Sequence, residues 1–103
     1  MAFSQTAQDF RLDGSLLVAT VATEAGDWVE SVLDINEYIG NNDGFFEFGG
    51  SGIFDSVDVE SWRLEGPLLI TSLYRLDGSL AEEQVINLDD YIGNQDGVLV
   101  FNY

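Results

Sequence analysis

The chain is written twice, and that repeat constrains its fold more than any other feature. Leu33-Asp34-Ile35-Asn36-Glu37-Tyr38-Ile39-Gly40-Asn41-Asn42-Asp43-Gly44 returns as Ile86-Asn87-Leu88-Asp89-Asp90-Tyr91-Ile92-Gly93-Asn94-Gln95-Asp96-Gly97. Leu12 to Val21 is answered by Leu64 to Leu73, and Phe45-Phe46-Glu47-Phe48 by Val98-Leu99-Val100-Phe101. The repeats run approximately over 1–50 and 53–103, with register drifting by two residues before Gly66 and by one after Gly78. A unit of this size buries a poor core alone, so the halves are expected to pack together or exchange strands in one pseudo-twofold body.

Within each half the pattern is β. Leu17, Ala19 and Val21 alternate with Val18, Thr20 and Ala22, and Leu69, Thr71 and Leu73 with Ile70 and Ser72, so each strand can turn one face inward. Asp13-Gly14 and Asp77-Gly78 read as tight hairpin turns. Asp34 to Ile39 and Asn87 to Ile92 carry Asn/Asp caps suited to a single helical turn. Pro67 opens a strand, where a missing donor is tolerated. The cluster Gly49-Gly50-Ser51-Gly52 is read as the linker between repeats.

Composition excludes several classes of function. Arg11, Arg63 and Arg75 are the 3 cations against 19 acids, a net charge of −16 that repels phosphate backbones and anionic headgroups. Nucleic acid and membrane are therefore not expected partners. The hydrophobic content of 46% nevertheless demands a packed core. With neither His nor Cys, the usual triads and transition-metal ligand sets are missing. An EF-hand frame would put Ile39 or Ile92 at its first position and Gly50 or Tyr103 at its twelfth, so no calcium site is expected. No basic segment followed by an apolar run opens the chain, which reads as cytoplasmic.

Phe3-Ser4-Gln5-Thr6, the doubled Ile-Gly-Asn-x-Asp-Gly signature, Ile86 to Asp90 and the tandem layout together resemble the cyanovirin-N family of lectins, over essentially the whole chain. The four cysteine positions of the disulfide-containing prototype fall on Ala7, Val21, Val57 and Leu73, so the chain resembles the cysteine-free members, including fungal ones. The resemblance implies an all-β fold of two pseudo-symmetric halves, each a triple-stranded antiparallel sheet plus a β-hairpin with short 3-10 turns. Strand exchange would join these into one elongated body, with residues 1–38 and 91–103 in one pseudo-domain and 39–90 in the other. It further implies a monomer that can form a domain-swapped dimer through the glycine linker.

The family's activity, as the resemblance implies it, is binding of α1-2-linked mannose in high-mannose glycans and glycoproteins, with an antiviral association, no catalysis and no cofactor. The first pocket would use Ala2, Gln5, Thr6, Ala22, Thr23 and Glu24 with Asn94, Gln95 and Asp96. The second would use Gly40, Asn41, Asn42, Asp43, Ser51, Gly52, Asp55, Ser56, Tyr74, Arg75 and Leu76. Ala2 and Ala22 stand where the prototype has charged residues, Gly40 and Gly52 where it has polar ones, and Leu76 where a gating arginine is expected. Carboxylates and amides suit neutral sugars, whose hydroxyls both donate and accept. The plainer reading gives the Asn-x-Asp-Gly turns a purely local role, in which Asn and Asp bond their own backbone and Gly takes positive φ. Trp28 and Trp62 are expected to pack, Tyr38, Tyr91, Ile39 and Ile92 to anchor the core, and Arg75 to pair with surface carboxylates. The alternative function is an acidic β domain with eroded pockets that docks a protein.

Overall fold

A computed structural model describes residues 2–102; the outer repeat limits at Met1 and Tyr103 lie outside the described residues. Each repeat supplies five strands. The first contains β1 (Ala7–Asp13), β2 (Leu16–Ala22), β3 (Trp28–Asp34), β4 (Ile39–Asn42) and β5 (Phe45–Phe48). The second contains β6 (Arg63–Glu65), β7 (Leu68–Thr71), β8 (Gln84–Asn87), β9 (Ile92–Gln95) and β10 (Val98–Phe101). They form antiparallel sheets β1-β2-β3 and β6-β7-β8 and the hairpins β4-β5 and β9-β10. The body measures 50 × 23 × 18 Å.

The expected caps form as the sequence suggests. The Asp34 and Asn87 side chains accept from the backbone N–H two residues on, starting the 3-10 turns Ile35–Glu37 and Leu88–Asp90. Those turns redirect the chain so that each hairpin crosses to the other repeat's sheet. Hairpin β9-β10 packs on β3 and on the 3-10 turn Phe3–Thr6, and β4 packs on the turn Ile53–Ser56. One continuous core results, with Phe3, Leu17, Ile35 and Ile39 from the first repeat buried against Ile53, Leu69, Leu88 and Ile92 from the second. At its middle Phe48 stacks on Tyr91 (4.2 Å) and Phe101 on Tyr38 (4.9 Å), each tyrosine meeting the far hairpin's last aromatic residue. The positions that match family cysteines are cross-strand neighbours, Ala7 opposite Val21 and Val57 opposite Leu73. Apolar contact replaces a bridge there.

Two expectations need correction. The tight turns stand: Asp13-Gly14 lies between β1 and β2, and Asp77-Gly78 closes a turn over 75–78 in which Gly78 N donates to Arg75 O (2.9 Å) and Arg75 N to Ser79 O (2.7 Å), just inside the bridge pair Tyr74 and Leu80. The Asp77 carboxylate is committed there to Ser79 N and Oγ, and the Ser79 hydroxyl holds it below its ordinary range. Trp62 packs edge-on to Phe54 and donates Nε1 to Gly14 O at 2.8 Å, but Trp28 is 52% exposed, opposite an alanine, Ala22, too small to cover an indole. Arg75 makes no close ion pair among the described residues and acts on Asp77 only as a minor charge that helps hold its carboxyl low; the salt bridges belong to Arg63, which binds Glu83 at 2.8 Å and Glu65 at 3.2 Å. Arg75 lies instead along Gly44 and donates weakly to Ser79 Oγ at 3.4 Å. The glycine linker is tied down, since Gly49 N donates to Tyr38 O and Gly52 N to Asn36 O.

So few ion pairs leave most of the −16 charge to self-repulsion. Raising ionic strength from about 0.01 M to about 0.15 M shortens the screening length from about 30 to about 8 Å and is expected to raise Tm by several degrees. Scanning calorimetry checks this; a Tm that falls with salt would mean that specific attraction, not repulsion, dominates the surface.

Candidate functional site

The candidate site grows out of the repeated turn. Asp96-Gly97 joins β9 to β10 with φ of 50° and 86°, and Asp43-Gly44 joins β4 to β5 with 48° and 95°. Positive φ at both central residues is the two-residue turn matching strand twist, which Asp-Gly favours. The preceding asparagine then does more than brace its own turn. Asn94 Oδ1 accepts from Gly97 N (2.9 Å), while its Nδ2 donates to Thr6 Oγ1 (2.9 Å) and to Ala22 O (2.8 Å) in the other repeat. Asp96 Oδ1 accepts from Glu24 N at 3.0 Å.

At the other turn the same bonds recur with different partners. Asn41 Oδ1 accepts from Gly44 N (2.7 Å), its Nδ2 donates to Ser56 Oγ and Tyr74 O (both 2.8 Å), and Asp43 Oδ1 accepts from Leu76 N (3.0 Å). The purely local reading of these turns is thus incomplete. Each is a clasp between repeats, and the amide hydrogens of both asparagines are fully used.

Around the first clasp lies a cleft of about 320 Å³ lined by Thr6, Ala22, Thr23, Glu24, Asn94, Gln95 and Asp96. All belong to the first expected pocket. Ala2 and Gln5 do not line it; they sit at the Phe3–Thr6 turn, where Gln5 N donates to Ala2 O. Because Asn94 is saturated, the groups left to meet a ligand are Asp96 Oδ2, the Glu24 carboxylate, the Gln95 amide and the Thr23 hydroxyl proton, the Thr23 oxygen already accepting from Asp27 N. Two carboxylates, an amide and a hydroxyl can receive and donate hydrogen bonds to a polyhydroxylated ligand.

The second expected set gathers less completely. Asn41, Asp43, Ser56, Tyr74 and Leu76 are joined by the second clasp. Gly40 abuts Ser51, whose backbone N and O would lie 3.0 Å from a Cβ at Gly40, so a side chain has no room there. Gly52, at φ 81°, opens the Ile53–Ser56 turn beside Asp55, and Asn42 is exposed on the hairpin. A second cleft of about 290 Å³ lies nearby but is lined by Phe45, Arg75, Ala81, Glu82, Glu83 and Gln84. Only Arg75 is shared with the expected set. The signal for the missed residues was the one-residue register drift after Gly78. Among the described residues no group of three or more acids is placed to hold a metal ion.

Comparison with known proteins agrees with this fold. Residues 3–100 match the CVNH domain family. The chain is 30% identical to the cyanovirin-N homolog of Neurospora crassa, over 94% of this chain and 95% of that one. It superposes on the NMR structure of the Gibberella zeae CVNH with TM-score 0.84 and 36% identity, covering 98% and 97% of the two chains. A microvirin:mannobiose complex matches with TM-score 0.79 and 25% identity, covering 98% of each.

Proposed function

The chain belongs to the CVNH domain family, and from that premise we propose that it is a carbohydrate-binding lectin for α1-2-linked mannose of high-mannose glycans. The observation that carries the reading is the cleft at the first clasp, which brings Thr23, Glu24, Gln95 and Asp96 together with free acceptors and donors. A microvirin of the same fold in complex with mannobiose supports the ligand class. In this reading Asp96 and Glu24 accept from vicinal hydroxyls, Gln95 and Thr23 donate, and Asn94 holds the walls at a constant spacing. Binding, not bond-making, is the activity.

The group around Asn41, Asp43, Ser56 and Tyr74 is the second, weaker site. Hydrogen bonds exchanged with water net only about 0.5–1.5 kcal/mol each, so each site alone binds modestly. Two sites on one rigid body gain roughly 10² to 10⁴ in avidity on a branched glycan.

A ¹⁵N NMR titration with Manα1-2Man tests this. Shifts confined to Thr23, Glu24 and Asn94 to Asp96 at low sugar, followed by Asn41 to Asp43 at higher sugar, are expected. A spectrum unmoved by the disaccharide would remove the mannose reading and favour protein docking by an acidic β domain.

A further inference from the structure

The second cleft sits where the two repeats differ in strand pairing, and the reason is visible in the chain. Strand β3 runs unbroken from Trp28 to Asp34 beside β2. Its second-half equivalent is interrupted: Leu80 bridges Tyr74, Ala81 N donates to Leu73 O (2.8 Å), and regular pairing resumes only at Gln84. The residue inserted after Gly78 is accommodated at Glu82-Glu83, and a hollow opens between that bulge and the tip of hairpin β4-β5.

We infer that this hollow is an additional sugar subsite, built for the apolar face and hydroxyl rim of one neutral pyranose ring; the inference rests on the lectin reading above. Phe45, where the repeat places Val98, is 63% exposed and offers an aromatic face at one wall. Arg75 offers a guanidinium whose single hydrogen bond among the described residues is the 3.4 Å contact to Ser79. Glu82 offers a carboxylate with no hydrogen bond among the described residues, whereas Glu83 is drawn off by Arg63 at 2.8 and 3.0 Å. Gln84 fixes the floor by donating Nε2 to Gly44 O.

An aromatic face, one donor group and one acceptor group match a ring whose C–H face is apolar and whose edge both accepts and donates. An anionic sugar meets Glu82 inside a field of −16, and a purely apolar ligand would strip water from two charges without pairing them. Arg75 packs along Gly44 of the Asp43-Gly44 turn, and its chain neighbours Tyr74 and Leu76 are bonded to Asn41 and Asp43. A second residue of a glycan held by the remaining Asp43 oxygen can therefore continue over Arg75 into this hollow.

The test is the same ¹⁵N titration with Manα1-2Man on the full chain and on Phe45→Ala. Wild type is expected to show shifts at Phe45 and Ala81 to Gln84, and Phe45→Ala to weaken binding read there by roughly three- to tenfold, the scale of one aromatic face contact. Shifts at Thr23, Glu24 and Asn94 to Asp96 stay the same in both. Phe45 is exposed, so the variant's unliganded spectrum should match elsewhere, and Phe45→Trp, which restores a face, should recover the affinity. Shifts at the first cleft with none at Ala81 to Gln84, or shifts there that ignore Phe45→Ala, overturn this subsite and leave the lectin reading standing. No shift anywhere overturns the lectin reading and the subsite together.

Discussion

Asn94→Ala is expected to cost about 2–4 kcal/mol of stability and to weaken mannobiose binding at the first cleft by more than about tenfold. The side chain makes three hydrogen bonds, one to Gly97 N within its own turn and two to Thr6 Oγ1 and Ala22 O in the other repeat. Alanine removes all three and leaves an N–H and a carbonyl short of partners, each worth about 1–3 kcal/mol when desolvated. For a domain of this length a loss of that size lowers Tm by about 10–25 °C, measurable by circular dichroism. Binding falls because the cleft's two walls come from different repeats, so loosening the clasp widens the site without touching the groups that face the sugar. Asn41→Ala is expected to cost a similar amount through Gly44, Ser56 and Tyr74, with the binding loss transferred to that end. A Tm within about 2 °C of wild type for Asn94→Ala would show that the clasp is ornamental to the fold.

Gly97→Ala is expected to cost about 2–5 kcal/mol, the sum of a left-handed backbone and an overpacked contact. Gly97 has φ 86°, and a Cβ there would stand 2.8 Å from Val29 Cγ2 and 2.9 Å from Thr23 Cγ2. Val29 lies on β3 and Thr23 opens the turn between β2 and β3, so relief requires the hairpin to lift and the cleft beside Thr23 to deform. Gly14→Ala separates the two causes. Gly14 has φ 57° with nothing within 4 Å of its Cβ position, so it is expected to lose only the backbone part, about 1–2 kcal/mol. Urea denaturation of both variants measures the difference. Equal losses would mean that the close approach of hairpin and sheet contributes nothing.

Much of the fold was legible because its signals are local. The alternation through Leu17, Ala19 and Val21, the Asp34 and Asn87 caps and the Asp-Gly turns each report on a few neighbouring residues, and each appears in its expected place. Asp77-Gly78 also turns where expected, Gly78 N donating to Arg75 O, and the Asp77 carboxylate adds local bonds to Ser79. Trp28 misled because burial of an indole depends on what lies across the strand, here Ala22. For the site, Thr6, Ala22 to Glu24 and Asn94 to Asp96 were named from a family likeness and come together in one cleft, whereas Phe45 and Ala81 to Gln84 were not named at all. Their hollow arises from an insertion whose consequence is set by where the extra residue bulges.

By itself the sequence determined a twofold β protein, its turns, its inward-facing positions and the acidic surface that suits an uncharged ligand, since all of these follow from spacing and composition. Only the tertiary structure decided that each Asn-x-Asp-Gly turn clasps the opposite repeat and that its asparagine is spent on the fold. It also decided that the two ends are unequal. Two nearly identical turns acquire different surroundings because each hairpin crosses to the other half, and contacts between residues some 70 to 90 positions apart, such as Glu24 with Asp96 and Asn94 with Thr6, are invisible to any pattern read along one repeat.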